Sequence, residues 1–163
     1  MMIRRALLMF LALSSLSAVA QRETSGAPEN ASDIGDFDIV EADILRLQVA
    51  MGSGRISARH LVERYLARIE RDNGRLNAIR EVNPGALNRA MALDAERQSR
   101  GPRGPLHGIP LIVKDNFQTS DMVTTAGSVL FAEFQPAGDA TQIARLRAAG
   151  AIILGKANMH EFA

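Results

Sequence analysis

Two lysines carry the most specific chemical signal in this sequence. Of its 19 basic residues only Lys114 and Lys156 are lysines, and every other is an arginine. Each closes an apolar run suited to a buried strand, "IPLIVK" and "AIILGK". A lysine in that position must reach solvent, find an anion or lose its proton. Holding it half neutral near pH 7 requires a pKa about 3 units below the free value, roughly 4 kcal/mol of differential stability. Proteins keep a lysine in that state mainly where it serves as a base. The other reading of Lys114 is an ion pair with Asp115 or a loop carboxylate. Spacing alone leaves both open.

Other patterns resolve into structure. "GAIILGKA" fits G-x-x-x-x-G-K, but a phosphate loop needs its inner residues as a loop and a hydroxyl after the lysine. Here Ala151 to Leu154 form a strand and Ala157 follows Lys156. "GSGRIS" reads as a helix stop and an N-cap, since no strand precedes it. His160-Glu161 lacks a second histidine at metal-binding spacing, and no metal site is expected. His60 falls on the polar side of a helix, and His107 belongs to a Gly/Pro-rich turn. There is no G-x-S-x-G.

These residues need elements to position them. Val40, Ile44, Leu47 and Met51 recur at helical spacing, stopped by Gly52 and Gly54. Ser57 is a candidate N-cap for "ARHLVERYLARIERDNG", whose Leu61, Tyr65, Leu66 and Ile69 form one stripe, with Asn73-Gly74 closing it. "LNAIREVN" is a short strand. "PGALNRAMALDAERQSRG" is a third helix, started by Pro84, with Leu87, Ala90, Met91 and Ala95 inward. After the strand "IPLIVK" and a Thr/Ser-rich loop, "DATQIARLRAAG" is a helix with Asp139 as candidate cap and Gly150 as stop, and "AIILGK" follows. Two apolar strands joined through a helix make a βαβ unit in a parallel sheet buried on both faces. In such sheets functional groups gather beyond the carboxyl ends of strands, where both lysines lie. Two or three strands leave sheet edges uncovered, so the chain reads as part of something larger.

Composition bounds the rest. Hydrophobic residues make up 47% and charged residues 23%, the balance of a globular protein. Aromatic residues are 4% with no tryptophan, which argues against stacking platforms for single-stranded nucleic acid. Residues 1–20 read as an export signal: basic "MMIRR", apolar "ALLMFLAL", and Ala18 and Ala20 at A-x-A spacing. Removing them leaves 17 basic against 18 acidic groups. A near-neutral body gives no electrostatic reason to expect DNA or anionic lipid as a partner. Residues 21–36 are polar with Gly, Pro and Ser and read as a flexible leader. The mature protein is expected to be exported, periplasmic or secreted, without stable membrane association.

The run "GPLHGIPLIVKDNFQTSDMVTTAGS", with "DATQIARLRAAGAIILGKANMHEF" behind it, resembles the amidase signature family. The likeness extends from about Phe37 to the end and looks closest to exported bacterial peptide-amidase-like members. It implies an α/β fold, the N-terminal part of the amidase-signature fold, with helices packed on a mixed, largely parallel sheet that is incomplete here. It also implies hydrolysis of a small-molecule or peptide carboxamide by a Ser–cis-Ser–Lys triad, without metal or organic cofactor. By motif position Lys114 is the lysine of that triad. Thr125 and Ser128, in "TTAGS", are expected beside it as supporting or substrate-binding residues, with Thr124 near them. The family's two serines lie downstream of "GKANM". Residues 37–163 are therefore expected to be the N-terminal portion of an amidase domain, truncated before the catalytic serines and inactive alone. The rivals are the amidotransferase member of the same family, which releases ammonia from glutamine for tRNA-linked amidation, and a non-catalytic degenerate paralogue. An export signal argues against the amidotransferase, whose work is cytoplasmic.

Overall fold

A computed structural model describes residues 37–159. The expected signal at 1–20, the leader at 21–36 and the pair His160-Glu161 lie outside the described residues. The elements run α1 (Ile44–Gly52), α2 (Ala58–Leu76), β1 (Ile79–Val82), α3 (Ala86–Arg100), β2 (Pro110–Lys114), α4 (Thr141–Ala148) and β3 (Ile152–Ala157), with a 3-10 turn at Val129–Phe131. The strands form one sheet in the order β1-β3-β2. β2 and β3 are parallel and joined through α4, as the two apolar runs predict, while β1 adds to β3 antiparallel.

The sheet is sandwiched. Ile152 and Leu154 pack with Leu47, Met51, Leu61, Val62, Ala90 and Leu93 of α1 to α3. Ile153 points the other way, into a smaller cluster with Val113, Met122 and Ile143 of α4. Alternation from Ile152 to Leu154 separates these two layers.

Several helix boundaries differ from the periodicity. α1 starts only at Ile44, because Asp43 caps it by accepting from Arg46 N, and Val40 lies exposed in the preceding turn. Ser57 caps α2 as expected, accepting from His60 N, and Asp94 of α3 adds bonds to Ala58 N and Arg59 N. α2 does not close at Asn73-Gly74. It runs to Leu76 and ends on Asn77 in the left-handed conformation, φ +48°. Asn73 instead clamps β1, its side chain bonding both N and O of Ile79.

α3 begins two residues after Pro84 and buries Ala86, Ala90 and Leu93. Met91 and Ala95 face outward, so the inward stripe is rotated from the expected one. Asp139 is not a cap. It accepts from Ser120 N and Oγ and pairs with Arg147 at 3.0 Å. α4 starts after Ala140 with no side-chain cap.

His107 is a structural plug in the Gly/Pro turn. It is wholly buried, with Nε2 2.9 Å from Leu93 O and Nδ1 accepting from Arg103 N. Gly150, at φ +88°, lies against it so tightly that a Cβ would come 2.9 Å from His107 Cα. That contact joins the turn before β2 to the end of α4 and brings the two parallel strands into line.

Candidate active site

The two lysines leave the sheet differently because of one bulge. Leu111 pairs with Ile153 but Ile112 pairs with Gly155, so Leu154 is the extra residue in β3. A one-residue slip exchanges the faces of everything beyond it. Past the slip Val113 pairs with Lys156 and Lys114 with Ala157. Alternation therefore puts Lys156 on the Val113 side, beneath the loop that follows β2, and Lys114 on the opposite side.

Lys156 is wholly closed to solvent. Its Nζ donates to Phe117 O at 2.8 Å and to Thr124 Oγ1 at 2.8 Å, and stands 3.2 Å from Asp115 Oδ1. The last contact is an ion pair set off the line of a hydrogen bond, since Oδ1 has no hydrogen-bond partner among the described residues. Asp115 is equally buried, and its other oxygen is held from three sides. Oδ2 accepts from Thr125 N at 3.2 Å and from the Thr125 hydroxyl, and lies 3.4 Å from Arg80 Nε. Burial pushes the Lys156 ammonium below the usual lysine range, and the Asp115 carboxylate opposes that shift. With three partners around its nitrogen and no exposed surface, Lys156 cannot meet a substrate.

Lys114 is the reachable one. It ends β2 half-buried, and its carbonyl accepts from Phe117 N in the turn that follows. The carboxylate next to it in sequence belongs to Lys156, so the ion pair between Lys114 and Asp115 considered from spacing does not form. Among the described residues Lys114 has no ion-pair partner. A lysine free of an anion, at the carboxyl edge of a parallel strand, is where a base can work.

The loop residues divide. Thr125 is buried against Asp115, one residue from Lys114, and its hydroxyl also accepts from Gly127 N. Thr124 is bound to Lys156. Ser128 starts the 3-10 turn, accepting from Leu130 N, and touches neither lysine. Asp115, Arg80 and Thr124 are the members that sequence reasoning missed as one cluster. The signal for Asp115 is its adjacency to Lys114, which makes an ion pair with that lysine one of two open readings, and the structure pairs it with Lys156. His60 lies at the start of α2 against Ser57, remote in role from this cluster. No group of three or more metal-ligating side chains converges among the described residues.

Comparison with known proteins gives a consistent picture. The chain is 38% identical over 127 residues to a glutamyl-tRNA(Gln) amidotransferase subunit from Bdellovibrio bacteriovorus, covering 78% of this chain and 26% of that protein. It is 42% identical over 130 residues to a probable amidase of Arabidopsis thaliana, covering 78% and 25%. Among solved structures, peptide amidase from Stenotrophomonas maltophilia is 45% identical with a TM-score of 0.71, over 76% of this chain and 26% of that one. An amidase family protein from Bacillus anthracis str. Ames is 38% identical with a TM-score of 0.75, over 82% and 28%. The chain thus spans about a quarter of the length of the curated relatives it matches. Its α/β layers correspond to one part of that larger fold. With the Amidase family profile matching residues 60–163, the chain belongs to the amidase family, the one marked by the amidase signature.

Proposed function

We propose that this chain supplies the lysine-bearing N-terminal portion of a longer amidase, which hydrolyses a carboxamide C–N bond with Lys114 as the base of a Ser–cis-Ser–Lys triad. The observation that carries the reading is the state of Lys114: half-buried, at the carboxyl end of β2, with its neighbouring carboxylate taken by Lys156. In the family the two serines lie downstream of the "GKANM" stretch, and this reading requires them there. A neutral lysine accepts the proton of the serine held in the cis peptide, which draws the proton from the nucleophilic serine. The nucleophile attacks the amide carbon, the C–N bond breaks with release of ammonia or an amine, and water then hydrolyses the acyl-enzyme. Thr125 fixes the loop beside the base through Asp115, and Ser128 shapes the turn beyond it.

The likeness to peptide amidase supports a peptide or small-molecule carboxamide as substrate. The basic, apolar and small-residue segments of residues 1–20 support export, with cleavage after Ala20 and a mature chain starting at Gln21. N-terminal sequencing of the exported protein tests that start.

The activity is tested by turnover of a C-terminally amidated peptide by the full-length protein. Lys114→Ala is expected to lower kcat/KM by about 10²- to 10⁴-fold, the usual contribution of a positioned base. A folded Lys114→Ala protein at wild-type turnover sinks the reading. The relatives named as amidotransferases favour one second reading, glutamine-dependent ammonia release, and glutamine in the same assay separates the two.

A further inference from the structure

The sequence places an acid directly after the proposed base, and that arrangement is hazardous for the base. Consecutive Cα atoms are about 3.8 Å apart, so an Asp115 carboxylate free to turn outward could approach the Lys114 amine to the range at which an anion favours the protonated form. The structure shows the hazard removed. Asp115 is turned into the core, away from Lys114, with Lys156 3.2 Å from one oxygen and Thr125 and Arg80 on the other. The bulge at Leu154 is what brings Lys156 to that side.

We propose that Lys156 is a positioning residue for amide hydrolysis: it holds the Asp115 carboxylate in the core and so keeps Lys114 without an anionic partner. This rests on the reading of Lys114 as the base. The charged groups around the pair are few. Arg80 and Glu81 face it from β1 and are bonded to one another at 3.1 Å. The loop over it contributes the uncharged Thr124 and Thr125. Asp121 and Asp139, farther along that loop, are both tied to Arg147 of α4. Within this set Lys156 is the fully enclosed cation on Asp115, since Arg80 is partly exposed and shared with Glu81.

The test is the pH dependence of kcat/KM for an amidated peptide, measured on the full-length protein. Its acid limb reports the essential base of the free enzyme. In Lys156→Met the Asp115 carboxylate keeps only the partly exposed Arg80 as a cationic partner, and its freed charge should make Lys114 harder to deprotonate. The acid limb should then move about 1 unit to higher pH, a tenfold loss of kcat/KM below the limb with recovery above it. Adding Asp115→Asn should return the limb to its wild-type position. A limb unmoved in folded Lys156→Met, or a shift that Asp115→Asn does not reverse, overturns the proposal. Lys156→Gln, which keeps a donor without the charge, serves in place of Lys156→Met if that variant does not fold, with the same expectation. If neither folds, the double variant Lys156→Met/Asp115→Asn must have its limb where wild type does, and a displaced limb there overturns the proposal. Failure of the underlying reading looks different: Lys114→Arg then keeps its activity, whatever happens at Lys156.

Discussion

Lys156 Nζ and Asp115 Oδ1 stand 3.2 Å apart with both side chains closed to solvent, while Lys114, one residue from Asp115, takes no part in the pair. Two lysines that look alike in sequence are thus opposite in electrostatic state. One is enclosed and balanced by a carboxylate, and the other is half-buried with no ion-pair partner among the described residues. The division follows from a single extra residue in β3.

The buried pair should couple strongly in stability. Asp115→Asn leaves Lys156 without its carboxylate and should cost about 3–5 kcal/mol, while Lys156→Met leaves Asp115 with the partly exposed Arg80 and should cost less. Replacing both removes the charges together, and the double variant should lose far less than the sum of the two. Denaturant unfolding of the four proteins in the full-length background measures the coupling. Additive losses would mean that the contact stores no interaction energy.

The depressed pKa of Lys156 has a definite sign in stability. Burial lowers its value in the folded protein, so the unfolded chain binds this proton more tightly. The contribution is therefore gained as pH climbs from the lowered value towards the free-lysine value of about 10.4, and is lost as pH falls back. The difference in unfolding free energy between wild type and Lys156→Met should change in favour of wild type from pH 7 to 10.5. A difference that shrinks over that range contradicts the shift.

Much of the architecture is legible in the residues. Ser57, the stripe of Leu61, Tyr65 and Leu66, and the apolar runs before each lysine define α2, β2 and β3, because burial on one or both faces leaves a periodic trace. α3 shows where that trace is ambiguous. Its apolar residues fall on two adjacent stripes, and the one holding Leu93 is buried, leaving Met91 outside. The bulge is illegible for a different reason. A one-residue slip between β2 and β3 depends on the partner strand and leaves no period in either sequence. Asp115 could be seen as the nearest anion to Lys114, but which lysine it binds is decided by that slip. Lys114 itself is legible only through its motif, since half-burial at a strand end suits an ion pair as well as a base.

Gly155 should be intolerant of any side chain. A Cβ there would lie 2.5 Å from Glu81 O, a backbone atom that cannot swing aside, and 3.5 Å from Ile112 Cδ1. Gly155→Ala must push β1 away from β3, next to both the bulge and Lys156. The expected cost is about 1–3 kcal/mol or more, the usual range for overpacking. A thermal unfolding midpoint equal to wild type would show that the two strands separate without penalty. Gly138, whose added Cβ meets nothing within 4 Å, is the control, and Gly138→Ala should be mild.

The sharpest contrast lies in arginine substitutions at the two lysines. Arginine keeps the charge and stays protonated across the accessible pH range, so it does not release its proton. If Lys114 is the base, Lys114→Arg should be nearly as damaging as Lys114→Ala, both by about 10²-fold or more in kcat/KM. A lysine kept only to close the end of β2 would tolerate arginine well, since Lys114 is only partly buried. Lys156 should behave the other way. Its nitrogen fills an enclosed space between Phe117 O, Thr124 and Asp115, so the larger guanidinium should destabilise by about 1–3 kcal/mol. Because the cation on Asp115 is preserved, whatever Lys156→Arg protein folds should keep the acid limb of wild type. Amide turnover and unfolding of both variants, measured together, distinguish a base from a counter-ion. High activity in folded Lys114→Arg would remove Lys114 from the chemistry.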